Sequence, residues 1–583
     1  MKRFAPVKAW IRAFETPDSS SSAQMESFYG QDKVTTWGAN YRAALDEFCS
    51  RYGEDRDVVI SRCPSQMNVM GMHIDYGGMS SLRMAVQGAD TITIAASTAP
   101  GPHHSRVRIS SLLQVPGHPR VDFHPAQWDL SQIVPAGSNV GTREAIMDYA
   151  GRLCDEREQA TGHAVDDDWQ VLPLGQLVFL EGYLREAPRP LAGFDALVWS
   201  NVSPAGGMSS SSALVISTAY AALGANGLEP GVDISQRDII DGVGSSEWIR
   251  GTRGGTADHG GMILGRLGEV VKVGVLPANA QGWAPIPSHY KAVALDSGVP
   301  RVSDEARKEE TVIAYELGTF MVKHLLLPAV QGRPGWGGLR PDYGDRIHLI
   351  RDVTADNLGI DTAQLCELLL MVPCETTLGQ VRQRCANGLA SLFDAFEHSQ
   401  ITGRFTKITR DYPIFLRRRF LFGLAEQERA HAVFDLLLDH ADMESVFELV
   451  RLSHAGDRDL EVSDEMLRDV ARRSSESAAG ARDLAYLPGG YGRMTPAYDR
   501  VCFRINNFLL EHGGPQAGAI QRLGAGWGGQ VGGLLHDDFV YGDGGAHLEE
   551  FMDRELGLNR SLGQAVISPG EGACLLSAPD SNE

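Results

Sequence analysis

The chain of 583 residues is short of positive charge: 53 Lys and Arg stand against 74 Asp and Glu, a formal charge of −21. A nucleic-acid scaffold is excluded as the primary role, because phosphate backbones are held by clustered basic side chains. One small anion held by backbone N–H groups is not. No stretch approaches the roughly 18 consecutive apolar residues of a membrane helix. Lys8, Arg12 and Glu15 interrupt any apolar core behind the basic start Met1-Lys2-Arg3, so no secretory signal is expected. The eight cysteines (49, 63, 154, 366, 374, 385, 502 and 574) form no C-x-x-C, and the 17 histidines no H-E-x-x-H. Reduced thiols are expected rather than disulfides or a zinc site. There is no internal repeat. An apolar share of 43% and a charged share of 22% are those of a globular chain, long enough for two to four domains. These counts give the expectation of a soluble, cytoplasmic, multi-domain protein with no membrane or nucleic-acid partner.

Apolar spacing predicts a helix over 36–52, with Tyr41, Ala44, Leu45 and Phe48 on one stripe. Strands are predicted at Val58-Val59-Ile60, Thr91–Ile94 and Arg106–Ile109, with a turn at Ala99-Pro100-Gly101-Pro102. Helices are expected at 143–154, 213–223 and 236–250, and strands at 192–202 and 291–296. From about 304 to 512 the pattern is mostly helical, broken by Arg333–Gly338, and the last 70 residues return to strand and Gly-rich loop. Mixed elements, then helices, then strands give α+β rather than regular alternation. Residues 1–30, with the polar run Ser19–Ser22, read as loosely tied, and a boundary is expected near 290–300.

Three segments carry chemistry. In Asn201-Val-Ser-Pro-Ala-Gly-Gly-Met-Ser-Ser-Ser-Ser-Ala213, Gly206 and Gly207 allow close backbone approach. Ser209, Ser210, Ser211 and Ser212 then sit where an apolar helix begins. Unpaired N–H groups and the helix dipole make such a start a cradle for phosphate, or else a plain Ser-rich cap. Glu247 and Asp258 are eleven residues apart in EWIRGTRGGTADHGG. One carboxylate would hold Mg²⁺ beside phosphate oxygens and the other would face a hydroxyl nucleophile, or both are surface groups. Gly524-Ala-Gly526-Trp-Gly-Gly529 satisfies G-x-G-x-x-G, but only 54 residues follow Gly529, too few for the alternating unit that a dinucleotide site needs. A glycine loop packed against a phosphate loop fits better.

Together with a fourth segment, Cys63-Pro-Ser-Gln-Met-Asn-Val-Met-Gly-Met-His-Ile-Asp-Tyr76, these resemble the GHMP kinase superfamily and its galactokinase branch. The fourth segment is similar to A-P-G-R-V-N-L-I-G-E-H-x-D-Y. The serine loop is similar to G-L-S-S-S-A, and Gly254-Gly255-Thr-Ala-Asp258-His to G-x-M-D-Q. Asp296-Ser297-Gly298-Val299 resembles a strand and turn of the same family. The resemblance implies a two-domain α+β fold with a ribosomal-S5-like N-terminal domain over 31–295. A ferredoxin-like C-terminal domain over 296–575 would carry a helical insertion at about 305–420, between flexible ends at 1–30 and 576–583. ATP and sugar would lie in the cleft between the domains, and the γ-phosphoryl would pass to an anomeric hydroxyl.

Carried over residue by residue, Gly206 through Ser212 would cradle ATP, and Ser211 or Ser212 would join Glu247 on Mg²⁺. Asp258 would be the catalytic carboxylate. Met72, His73, Asp75, Gly255 and Gly526 would line the sugar. Two departures matter. The family's catalytic arginine falls on Gln66, which keeps hydrogen bonding but loses the cation, with Arg253 and Arg62 as candidate replacements. Met72 stands where galactokinases carry a Glu on the C6 hydroxyl. Its loss brings galacturonate-type sugars level with galactose, with a pentose behind. A sugar and ATP sensor with weak transfer is the alternative role.

Overall fold

A computed structural model describes residues 3–16, 19–98, 104–134, 138–161, 169–204, 206–251, 254–302, 304–385, 388–401, 404–405, 407–439, 442–476 and 484–579. The expected turn at 99–102 lies outside them, as does Arg253. The chain divides into two compact units, one of residues 1–67, 83–283 and 568–583, the other of 68–82 and 284–567.

The first unit is built on a ten-stranded sheet. Its strands are β1 (Ala5–Pro6), β2 (Asp57–Met70), β3 (Ser81–Ser97), β4 (Arg106–Leu113), β5 (Val121–Asp122), β6 (Ala126–Asp129), β7 (Phe194–Ser200), β8 (Glu269–Gly274) and β9 (Asn279–Pro285), with a tenth from the end of the chain. The main order is β1-β2-β3-β7-β4-β5, with β6 on β4, β8 on β3 and β9 on β8. β7 runs antiparallel to β3 and parallel to β4. Alternation along the strands sends Val58, Ile60, Ile92 and Ile94 to one face and Val59 and Ala95 to the other. Both faces are covered, so these strands read as near-continuous apolar runs. On one face lie the helices Val7–Glu15, Ser20–Tyr29 and Val34–Tyr52, through buried Trp10, Tyr29, Trp37, Tyr41 and Phe48. On the other lie Val171–Leu184 and Ser210–Ala225, which are apolar nearly all round, as a core helix is.

Residues 1–30 are therefore not loosely tied where they are described. Ser19 accepts a hydrogen bond from Ser22 N and opens a helix that buries Ser21, Met25 and Tyr29 at four-residue spacing. The serine run is a helix start, not a linker.

The second unit holds a four-stranded antiparallel sheet in the order β11-β12-β10-β13, from β10 (Tyr290–Asp296), β11 (Gly518–Arg522), β12 (Gln530–His536) and β13 (Val566–Ile567). The helix Pro496–Gly513 covers it through Tyr498, Ile505 and Leu509. A layer of helices running from Glu305 to Glu476 has its own core of Leu, Ile, Phe and Tyr, to which Ile74 and Met79 of the 68–82 loop contribute. Its segment Glu305–Val330 is long and apolar enough, by length and composition, to cross a membrane, but 67% of its most apolar window is buried in the protein. Trp336 of the expected break is buried in the same core. The last residues do not stay with this unit: β14 (Cys574–Leu575) pairs with Ser61 and Arg62 of β2, so 568–579 belong to the first unit rather than to a C-terminal domain ending at 575. No disulfide joins the described cysteines.

Candidate phosphate and sugar sites

In the first unit, β7 runs out into the glycine–serine loop and returns as the helix Ser210–Ala225. Gly207 sits at φ 76°, which a side chain would resist, and Gly206 N–H donates to Ser203 O at 3.4 Å. Ser209 takes the left-handed region (φ 57°, ψ 52°) and does not cap the helix with its side chain. Its hydroxyl instead donates to Asp258 Oδ2 at 2.5 Å and accepts from Gln66 Nε2 at 3.0 Å. A non-glycine residue held at positive φ costs of order 1 kcal/mol and persists where its surroundings over-determine it, as these two partners do. The first-turn N–H groups of that helix are left for another acceptor, as a phosphate cradle requires.

Asp258 opens the helix Ala257–Leu264, its other oxygen held by Arg83 Nη1 at 2.6 Å. Its side chain is 33% exposed and that of Arg83 only 4%. Gln66 is buried on β2, with its N–H donating to Met208 O at 3.3 Å. Gln66 and Asp258 therefore meet through Ser209, and the cation is Arg83. Arg62, a candidate for that place, is committed elsewhere: it pairs with Asp90 at 3.1 Å, both side chains fully buried, and lies over the Phe28 ring.

Glu247 begins a 3-10 turn, Glu247–Arg250, after a π-helical turn at Ile239–Val243, so the helix expected over 236–250 is broken into short pieces. The Glu247 carboxylate is buried. Ser211 Oγ donates to its Oε2 at 3.3 Å and His259 Nε2 meets its Oε1 at 3.0 Å. One hydroxyl and one carboxylate are hard oxygen donors of the kind Mg²⁺ takes beside phosphates and water, so these residues fit that ion. Ser210 and Ser212 lie in the same first turn, Ser212 buried. Gly255, also in the first unit, lies in the extended stretch before Thr256.

Met72, His73, Asp75 and Gly526 belong to the second unit. Met72 is buried, and its N–H and that of Gly71 both donate to Glu426 Oε1, at 3.0 and 3.2 Å. That carboxylate is itself buried against Arg429 (2.7 Å) and Ser453, so it secures the backbone of the loop. His73 is held at φ 64°, stacked on Tyr491 with ring centroids 4.8 Å apart, its Nε2 3.6 Å from Asp457 Oδ1. Asp75 is buried at the start of a 3-10 turn. A Cβ on Gly526 (φ 92°) would come within 2.4 Å of Arg493 O, so only glycine fits there. The glycine loop packs its backbone on Arg493 and on Val299, whose carbonyl accepts from Gly529 N at 2.9 Å.

Burial pushes the His73 imidazole down to about 4, against the pull of Asp457. Burial would raise the Asp457 carboxyl, but the fully buried Arg522 guanidinium at 2.5 Å and His73 hold it at about 2. The sign follows from proton binding. Between the ordinary histidine value of 6.5 and about 4, the unfolded chain binds a proton at His73 that the folded chain does not. Stability from this residue should thus fall as pH drops through that window, by up to about 3 kcal/mol, and stop falling below it. Urea midpoints at pH 7.5 and 4.5 check this, and His73→Asn should flatten the dependence. Equal slopes in both proteins would refute it.

Sequence reasoning missed Arg83, His259, Asp457 and Arg522. Only Arg83 left a local signal: one charge inside the apolar run Leu82–Val86, where an unpaired arginine is rarely buried.

Comparison with known proteins agrees with this geometry. The galactokinase galactose-binding signature matches residues 46–97, and the GHMP kinases N terminal domain matches 177–266. An L-arabinokinase of Arabidopsis thaliana is 24% identical over 285 residues, 46% of this chain and 26% of that protein. A galactokinase of Schizosaccharomyces pombe is 24% identical over 255 residues, 43% of this chain and 42% of that protein. The match thus spans less than half the length of either relative. The crystal structure of Lactococcus lactis galactokinase complexed with galactose superposes with a TM-score of 0.51 at 14% identity, covering 92% of this chain and all of that one, a likeness of fold. With both signatures in chain order on that two-domain fold, the protein belongs to the GHMP kinases, in their galactokinase-like branch.

Proposed function

We propose that the protein is an ATP-dependent sugar kinase that phosphorylates the anomeric hydroxyl of a galactose-type aldose. The observation that carries this reading is the cluster around the serine-lined helix start. Asp258 is hydrogen-bonded to Ser209, Ser211 to Glu247, and all four groups flank one set of unpaired N–H groups. Gly206 to Ser212 cradle the triphosphate. Ser211 and Glu247 would hold Mg²⁺, which when bound neutralises charge on the phosphate oxygens. Ser211 suits that role better than Ser212, since its hydroxyl already faces Glu247. His259 fixes the Glu247 carboxylate from its other oxygen.

Phosphoryl transfer needs positioning more than covalent help. The sugar oxygen bonds to the γ-phosphorus as the bond to ADP breaks, and the hydroxyl proton passes to Asp258. His73, Asp75 and the Met72 backbone would meet the other hydroxyls, with Gly255 and Gly526 permitting close approach. The apolar Met72 side chain offers no acceptor for a C6 hydroxyl and no repulsion for a C6 carboxylate. The L-arabinokinase relative adds a pentose of related configuration to the candidates. A sensor without transfer was suggested by Gln66. The guanidinium of Arg83 on Asp258 removes that argument.

The test is ADP release from MgATP with galactose, galacturonate, arabinose and other aldoses, and ³¹P NMR of the product. A sugar 1-phosphate is expected, with galacturonate or arabinose at least matching galactose. ADP release no faster than without sugar, across the whole set, would refute the assignment.

A further inference from the structure

We infer that Arg83 is the positioning cation of Asp258, moved one strand over from the place that Gln66 occupies. The inference rests on the kinase reading above. Gln66 lies on β2 and Arg83 on β3, neighbours in the sheet. Arg83 Nη1 stands 2.6 Å from Asp258 Oδ1, and the arginine is almost wholly buried, so the pair is shielded from solvent. Room for it comes from Gly261, one turn beyond Asp258: a Cβ there would lie 2.6 Å from Arg83 Cβ and 3.8 Å from Gln66 Cβ. Both side chains thus converge on the same helix face, one supplying charge and the other an amide.

The two carboxylate oxygens have different partners. Oδ1 takes the cation, and Oδ2 takes the neutral hydroxyl of Ser209, which is itself steadied by Gln66 Nε2. A charge-assisted bond is about twice as strong as a neutral one. Arriving sugar therefore displaces Ser209 and not Arg83. Oδ2 receives the hydroxyl proton while Oδ1 stays fixed, and the arginine holds the carboxylate aimed throughout. Gln66 serves Asp258 at one remove, through Ser209.

The experiment compares wild type, Arg83→Met, Arg83→Lys and the double variant Gln66→Arg/Arg83→Met in full-length protein, with kcat and KM for ATP measured separately. Arg83→Met should lower kcat about 100- to 1,000-fold with KM for ATP within about twofold. Arg83→Lys should recover part of the loss. The double variant, with its cation restored on β2, should recover about tenfold or more over Arg83→Met. Thermal unfolding of each variant separates misfolding from mispositioning. Should Arg83→Met be unfolded, Arg83→Lys against the double variant carries the comparison. An active wild type with Arg83→Met within a few-fold of it, or a double variant no better than the single, overturns the inference and leaves the kinase reading standing. A wild type that phosphorylates no sugar overturns that reading, and the inference with it.

Discussion

Asp258→Asn is expected to lower kcat by about 10³-fold or more while ATP still binds within about twofold of wild type. The amide matches the carboxylate in shape, so the helix Ala257–Leu264 keeps its start. It removes the one group at the serine loop positioned to take a proton from the acceptor hydroxyl. The change also leaves the buried Arg83 without its counter-charge, so some loss of stability should accompany the loss of rate. Single-turnover measurement with bound ATP separates the two, because it reads the chemical step in the folded fraction alone. A rate within tenfold of wild type would show that the proton goes elsewhere.

Arg522→Leu should be the most destabilising single change in the second unit, by about 3–5 kcal/mol, because it strands a buried carboxylate. Arg522 and Asp457 are both inaccessible and 2.5 Å apart, and Arg522 Nη1 also donates to Ser453 O at 3.2 Å. Asp457 in turn faces His73, so the KM for sugar should rise in whatever folded protein remains. A control is Arg346→Leu, whose partner Asp342 lies in the open at 2.8 Å. Exposed pairs of that kind contribute about 1 kcal/mol or less. Urea unfolding of both variants reads the contrast. Comparable small shifts would mean that the buried pair carries no special weight. Replacing Asp457 with Leu as well should return part of the stability, since an apolar pair needs no counter-charge.

Legibility in the sequence followed the range of each interaction. The helix starts at Ser210 and Ala257, and the serines, Glu247 and Asp258, could be placed because a short glycine-bracketed segment fixes both the backbone and the chemistry. Arg83 could not be assigned to Asp258, because that pairing depends on which strands lie side by side, and 175 residues separate the two. His73 was recognisable from its motif, whereas Asp457 and Arg522 come from a helix end and a strand hundreds of residues away. The start of the chain was misread for the opposite reason. Its serines look like a linker, and only the four-residue spacing of Ser21, Met25 and Tyr29 betrays a packed helix. Ser209 was expected among the phosphate ligands, but its left-handed backbone and its bond to Asp258 are tertiary facts that no local pattern carries.

The late strand β14 bears on how the protein is made. It lies against Arg62, whose guanidinium also donates to Glu571 O, 509 residues further along the chain. During synthesis the amino-terminal sheet cannot be completed until nearly the whole polypeptide has left the ribosome. Until then the flank of β2 is an open edge beside a charge pair that the mature protein encloses, a state prone to off-pathway pairing. Closure over so long a separation is slow. Translation therefore ends before this half of the molecule is finished, and protection by chaperones in that interval would matter more for yield than any gain in final stability.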